Sequence, residues 1–228
     1  MILAAGRGER MRPLTDRLPK ALVEAGGRPL VAHLIERLVR AGFREIVVNV
    51  SHRAAQIEAA LGDGSGFGAR IGYSREAQPL ETGGGIAYAL PLLGSAPFAV
   101  VNSDIYCEFD FARLAAVESE LARGARSAHL VLVDNPPHHP GGDFSLQDDR
   151  VSADAGAPRL TFSGIGVYSP ALFAGVERGA RCPLSSLLGP AMAEGRVAGE
   201  HFRGLWMDVG TPERLVSLER VLAEREAR

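Results

Sequence analysis

Cysteine is scarce in this chain: Cys107 and Cys182 are the only two among 228 residues, and they lie far apart. They make no Cys-x-x-Cys pair and no zinc-like spacing with histidine, which excludes a disulfide framework and a structural zinc site. A reducing cytoplasm is the setting this usage predicts. Long hydrophobic runs are also missing. No stretch of about 18 apolar residues occurs, so no membrane-spanning helix and no membrane partner are expected. Residues 1–5 are apolar but run directly into glycines, too short for the core of a secretory signal. Neither sign of charge dominates: 25 Lys and Arg face 27 Asp and Glu, a formal net charge of -2. A general nucleic-acid binder needs a basic surplus, so no nucleic-acid partner is expected. Internal repeats, low-complexity tracts and linkers are absent, and a single domain over residues 1–228 is the expectation.

What is present is an alternation of apolar segments with helical patterns, the signature of βαβ units. Pro29 is placed to open a helix in which Leu30, Leu34 and Leu38 recur beside Val31, Ile35 and Val39, with Gly42 closing it. Residues 45–50 read as a strand, 54–61 as a helix, 70–73 as a strand and 83–93 as a helix. The apolar run 98–102 predicts a buried strand ending at Ser103-Asp104. Asp110 is placed to cap a helix reaching about Arg123, and 129–133 is again strand-like. From Asp134 the pattern loosens. A Pro/Gly loop at 135–142 precedes strand-like segments at 143–146, 151–153 and 160–168, antiparallel by their polar turns. A helix near 184–194, a strand near 202–207 and an amphipathic helix from Pro212 complete the order.

The most informative stretch is 3–20, Leu-Ala-Ala-Gly-Arg-Gly-Glu-Arg-Met-Arg-Pro-Leu-Thr-Asp-Arg-Leu-Pro-Lys. A short apolar strand breaks at Gly6 into a loop with a second glycine at Gly8, then Arg10, Arg12, Arg17 and Pro19-Lys20. Glycines let backbone N–H groups approach an anion, and nearby cations neutralise a polyphosphate. No Gly-Lys-Ser/Thr follows, so this is no Walker loop, and a third glycine is missing for the dinucleotide fingerprint. Ligands of open α/β sheets bind beyond the C-terminal ends of strands, and three loops so placed stand out: 5–20, 76–85 and 102–106. Asp104 should emerge at the rim of the sheet. Asp208, between Met207 and Val209, is costly to bury unless paired or metal-bound. Mg²⁺ prefers one or two carboxylates plus phosphate oxygens. His33 reads as structural, Cys107 as core filler, and His138-His139 as part of a sugar-facing or solvated loop in preference to a zinc site with Asp143.

Taken whole, the string 3–20 resembles the signature of the sugar-1-phosphate nucleotidyltransferases, and the likeness runs from Leu3 to about Leu222. Within that family the chain is most similar to the compact bacterial N-acetylmuramate α-1-phosphate uridylyltransferases of cell-wall recycling. The match lies in Pro-Leu-Glu-Thr-Gly-Gly-Gly-Ile at 79–86, in 132–135 followed by His138-His139, in Gly142-Asp143-Phe144, in 160–165 and in Gly199-Glu200-His201. The resemblance implies an α/β fold with a Rossmann-like, mostly parallel sheet, helices on both faces and a small antiparallel sugar-binding lobe. It places the nucleotide part at about 1–134, the lobe at about 135–212 and a C-terminal helix at 212–228.

It implies transfer of UMP from UTP to a sugar 1-phosphate, giving a UDP-sugar and pyrophosphate, by an enzyme acting alone or as a weak homodimer. Arg10 and Lys20 would be the catalytic cations. Leu3, Ala4, Ala5, Gly6, Arg7 and Gly8 would wrap the triphosphate, while Glu76, Glu81, Thr82 and Gly83 would face the base. Asp104 and Asp208 would hold Mg²⁺. Asp143, Gly164, His201 and Arg203 would face the sugar, with Arg203 on the same strand face as His201. Two departures stand out. Ser103 replaces the usual glycine before the aspartate, and no Glu-Lys-Pro follows Phe144. The rival readings are a mannose-1-phosphate guanylyltransferase and a non-catalytic sugar-nucleotide-binding subunit.

Overall fold

The computed structural model describes residues 1–154 and 156–226; residues 227–228 of the expected C-terminal helix lie outside the described residues. In chain order the elements are β1 (Ile2–Leu3), β2 (Glu24–Ala25), β3 (Arg28–Pro29), α1 (Leu30–Arg40), β4 (Glu45–Val50), α2 (Ala54–Leu61), β5 (Arg70–Arg75), α3 (Glu81–Leu93), β6 (Phe98–Asn102) and β7 (Ile105–Cys107). There follow α4 (Leu114–Leu121), β8 (Ala128–Val133), β9 (Phe144–Gln147), β10 (Arg150–Ser152), β11 (Arg159–Tyr168), α5 (Leu184–Ala193), β12 (Val197–Phe202), β13 (Trp206–Asp208) and α6 (Pro212–Glu226). The chain groups into two compact units. The N-terminal unit takes Ile2–Pro79, Asn102–Ala112 and everything from Leu205; the central unit takes Met1, Leu80–Val101 and Arg113–Gly204. The chain therefore returns to the N-terminal unit twice.

In the N-terminal unit β5, β4 and β1 lie in that order, all parallel. Val48 and Val50 are fully buried, the β-branched run that a strand covered on both faces requires. The α1 pattern holds: Leu30, Val31, Leu34, Ile35 and Leu38 form its buried stripe. Arg37 and Arg40 sit in its last turn, where cations meet the negative end of the helix dipole. Gly42, at φ +99°, stops it. A second core gathers Met11, Val23, Ala25, Leu30, Val209 and Leu218, so α6 buttresses the segment that follows the glycine loop. His33 is structural: its Nε2 lies 2.8 Å from the Ala25 carbonyl and its ring meets Tyr106 edge-on. An antiparallel ribbon, β7 with β13, sets Asp208 opposite Ile105.

The central unit carries the order β6-β11-β8-β12-β10-β9, and β9 also pairs with β11, so the last five strands close into a ring. Among the described residues only β8 and β12 run parallel there; β11 is antiparallel to β6 and β8, and to β9 as the loosened pattern predicts. Tyr168, Phe173 and Phe98 pack together beneath it. A Cβ on Gly166 would stand 2.6 Å from the Tyr168 hydroxyl, so only glycine leaves room for that ring. Burial pushes the Tyr168 phenol well above its usual range.

Two expectations need correction. The strand near 202–207 is two strands, and Arg203 lies past the end of β12 instead of on the His201 face. The break is at Gly204, over which the Phe202 ring folds; a Cβ there would be 2.3 Å from that ring. β12 itself was hidden by Gly199, whose bare backbone lies against the Leu130 carbonyl, 2.8 Å from where a Cβ would be. The helix expected from Asp110 to about Arg123 is present from Phe111 to Leu121, its first turn a 3-10 turn. Asp110 accepts the Ala112 N–H at 3.1 Å and caps a single 3-10 turn before α4.

Candidate active site

The glycine loop, Lys20 and both candidate metal carboxylates belong to the N-terminal unit. β1 ends at Leu3, and the next N–H, that of Ala4, donates to Asn49 Oδ1 at 2.7 Å. Gly6 is exposed with open space around it. Gly8 has φ +65° and lies against Lys20: an added Cβ would be 2.9 Å from the Lys20 Cβ. Both the left-handed backbone and this approach demand glycine. The Gly8 carbonyl accepts from Thr15 Oγ1 at 2.8 Å and from the Met11 N–H at 2.9 Å, fixing the loop. Arg7 and Arg10 are exposed beside it.

Lys20 reaches across to Asp104 and pairs with its Oδ2; the two side chains are 13% and 28% exposed. The Asp104 carbonyl accepts the Val209 N–H at 2.7 Å, which brings the start of the 104–107 segment against the end of β13. Asp208 pairs through Oδ2 with Arg214 Nη1 of α6. Gly210 makes this pair possible, because a Cβ there would lie 2.4 Å from Arg214 Nη2. Two carboxylates, Asp104 in the turn before β7 and Asp208 at the end of β13, each partly exposed, form a donor set suited to a hard cation that completes its shell with phosphate oxygens and water. Among the described residues no group of three or more His, Cys, Asp or Glu could hold a metal ion, so a site richer in protein ligands is not offered. Burial pushes the Cys107 thiol up and keeps it protonated, as befits core filler.

Glu76 is 6% exposed, and its Oε1 accepts from Asn49 Nδ2 at 2.7 Å. Its carboxylate thus faces the strand ends of its own unit, not open solvent. In the central unit Glu81 starts α3 at φ +62°, a conformation rare outside glycine, with its carboxylate 2.9 Å from Arg181. Thr82 is half-buried and Gly83 fully so. Gly83 and Gly84 are bare because the 180–184 segment crosses them: added Cβ atoms would lie 2.8 Å from the Cys182 carbonyl and 2.4 Å from the Ala180 carbonyl. The chain itself thus covers the side of both glycines on which a Cβ would lie. Gly84→Ala is accordingly expected to lower the thermal midpoint by roughly 3–10 °C through overpacking. An unchanged midpoint in a melting experiment would remove this explanation.

The lobe residues are only partly gathered. Asp143 Oδ2 accepts the Phe162 N–H at 2.8 Å and Oδ1 lies 3.1 Å from His139 Nε2, so Asp143 fastens the 135–142 loop to β11. Gly164, at φ +80°, occupies the bulge where the β11–β8 register shifts. His201 Nε2 lies 2.9 Å from Asp134 Oδ1, at the C-terminal edge of the parallel β8–β12 pair. Sequence reasoning missed Asn49, Asp134 and Arg214. An asparagine inside the β-branched run 45–50 was the available signal for the first. The other two are joined to their partners only by the fold.

The nucleotidyl transferase family profile matches residues 1–142. N-acetylmuramate alpha-1-phosphate uridylyltransferase of Neisseria meningitidis serogroup B is 53% identical over 218 residues, 94% of each chain. The enzyme of that name from Caulobacter vibrioides is 40% identical, covering 98% of this chain and 96% of its own. Among solved structures, HddC from Yersinia pseudotuberculosis superposes with a TM-score of 0.79 at 23% identity, over 97% of both chains, a likeness of fold. No helix of the described residues is long and apolar enough to cross a membrane. By sequence profile, by relatives aligned over nearly their whole length and by fold, the chain belongs to the nucleotidyl transferase family.

Proposed function

We propose that the chain transfers UMP from UTP to N-acetylmuramate α-1-phosphate, releasing pyrophosphate, as a cytoplasmic enzyme of peptidoglycan recycling. The observation that carries the reading is the 53% identity, over 94% of both chains, to an enzyme of that name. The acceptor is already ionised, so no general base is needed. Its phosphate oxygen attacks the α-phosphorus in line; that P–O bond forms as the bond to the β-phosphate oxygen breaks, and pyrophosphate leaves with the electron pair. The protein's task is then positioning and charge stabilisation.

Lys20 stabilises the negative charge that builds on the α-phosphate oxygens. The backbone N–H groups of 5–8, with Arg7 and Arg10, hold the leaving pyrophosphate. Asp104 and Asp208 would hold Mg²⁺, which would supply positive charge to the phosphate oxygens. Glu81 and Thr82 face the base. On the lobe, His201 presents a donor to the lactyl carboxylate that distinguishes muramate from glucosamine; Asp143 and Gly164 shape the loop and bulge around it.

A site built to bond that carboxylate rejects the sugar lacking it. Wild type is expected to favour the muramate over the glucosamine 1-phosphate by at least about a hundredfold in kcat/KM, and His201→Ala to reduce the ratio to about tenfold or less. Steady-state kinetics with both sugars and UTP check this. Equal use of the two sugars by wild type contradicts the muramate assignment.

A further inference from the structure

Three elements of the N-terminal unit end beside one another: β1 at Leu3, β4 at Val50 and β5 at Arg75. One buried side chain joins the three ends. Asn49 is 3% exposed and stands opposite Leu3 in the parallel ladder. Its Oδ1 accepts the Ala4 N–H at 2.7 Å and its Nδ2 donates to Glu76 Oε1 at 2.7 Å. The Glu76 N–H in turn donates to the Val50 carbonyl at 2.8 Å. The backbone N–H can only donate, so it commits the amide oxygen to Ala4 and leaves the NH₂ for the carboxylate. The β1–β4 ladder spans Ile2 and Leu3 alone. At Ala4 the side chain of Asn49 takes over, and the following N–H groups are left to the glycine loop.

We propose that Asn49 is a positioning residue for nucleotide binding, held in its rotamer by Glu76 and fixing the direction in which the phosphate-wrapping loop leaves the sheet. This rests on the reading of residues 4–8 as the triphosphate loop. It also moves Glu76 from a base contact to a partner of Asn49, in keeping with its burial. A side chain between two fixed polar groups cannot be exchanged singly. Asn49→Asp still accepts from Ala4 but sets two carboxylates face to face, whereas Asn49→Asp combined with Glu76→Gln restores the bond with its direction reversed.

The test is UTP affinity by titration calorimetry, with KM for UTP and for the sugar 1-phosphate measured in parallel. Loss of a buried hydrogen bond of this kind corresponds to about a tenfold or larger weakening. Asn49→Asp is expected to weaken UTP by that factor while leaving KM for the sugar 1-phosphate unchanged, and the double variant to return UTP to within about threefold of wild type. A role confined to stability would lower the active fraction, hence apparent kcat, and leave both KM values alone. If Asn49→Asp does not fold, Asn49→Ser replaces it, with the same weakening expected. Normal UTP affinity in the folded single variant, or no recovery in a folded double variant, overturns the proposal. A wild type that binds UTP yet releases no pyrophosphate with any sugar 1-phosphate refutes the proposed reaction and leaves the affinity test of Asn49 in force. Failure of wild type to bind UTP overturns both.

Discussion

Lys20→Ala is expected to lower kcat by roughly 10²–10³-fold, about 2.7–4 kcal/mol, the scale measured when one oriented charge-stabilising donor is removed. Lys20 is held where such an effect is large. Its side chain is 13% exposed, its stem packs against Gly8 and its ammonium pairs with Asp104. Charge on the α-phosphate oxygens rises as the new P–O bond forms, so the ammonium acts more on the transition state than on bound UTP. The loss should therefore fall on kcat, with KM for UTP changing only a fewfold. Lys20→Arg keeps the charge but not the shape of the contact at Gly8, and should recover only part of the rate. A Lys20→Ala enzyme with unchanged kcat and a raised KM would make Lys20 a ground-state binding residue.

Asp208→Asn should reduce turnover by about a hundredfold or more, because a divalent cation on a phosphoryl oxygen contributes several kcal/mol. Repulsion between neighbouring carboxylates, taken alone, would make the substitution harmless to the fold. The pairing of Asp208 with Arg214, whose side chains are 22% and 17% exposed, changes that expectation. An amide keeps a hydrogen bond to the guanidinium but gives up the charge, so a loss of about 1–3 kcal/mol in stability is expected as well. Activity titrated against Mg²⁺, together with urea unfolding, separates the two effects. Near-normal turnover at saturating Mg²⁺ in folded Asp208→Asn would remove Asp208 from the metal site.

Where local pattern and fold agree, the sequence was legible. Helix α1, strand β4 and strand β6 lie where periodicity and β-branching put them. The errors cluster at glycines. Gly199 and Gly204 broke the strand pattern because backbone and a phenyl ring approach them, and such approaches come from residues distant in sequence. Gly83 and Gly84 are likewise bare because the 180–184 segment, distant in sequence, lies over them. Arg214 and Asn49 were invisible for a related reason. A guanidinium in a surface helix and an amide in a strand acquire meaning only from the partners the fold supplies, here Asp208 and the Ala4–Glu76 pair.

The most direct test is pyrophosphate release by the purified protein with Mg²⁺, crossing UTP and GTP with the 1-phosphates of N-acetylmuramate, N-acetylglucosamine and mannose. The highest kcat/KM is expected for UTP with N-acetylmuramate α-1-phosphate; a preference for GTP with mannose 1-phosphate, or no release from any pair, would contradict it.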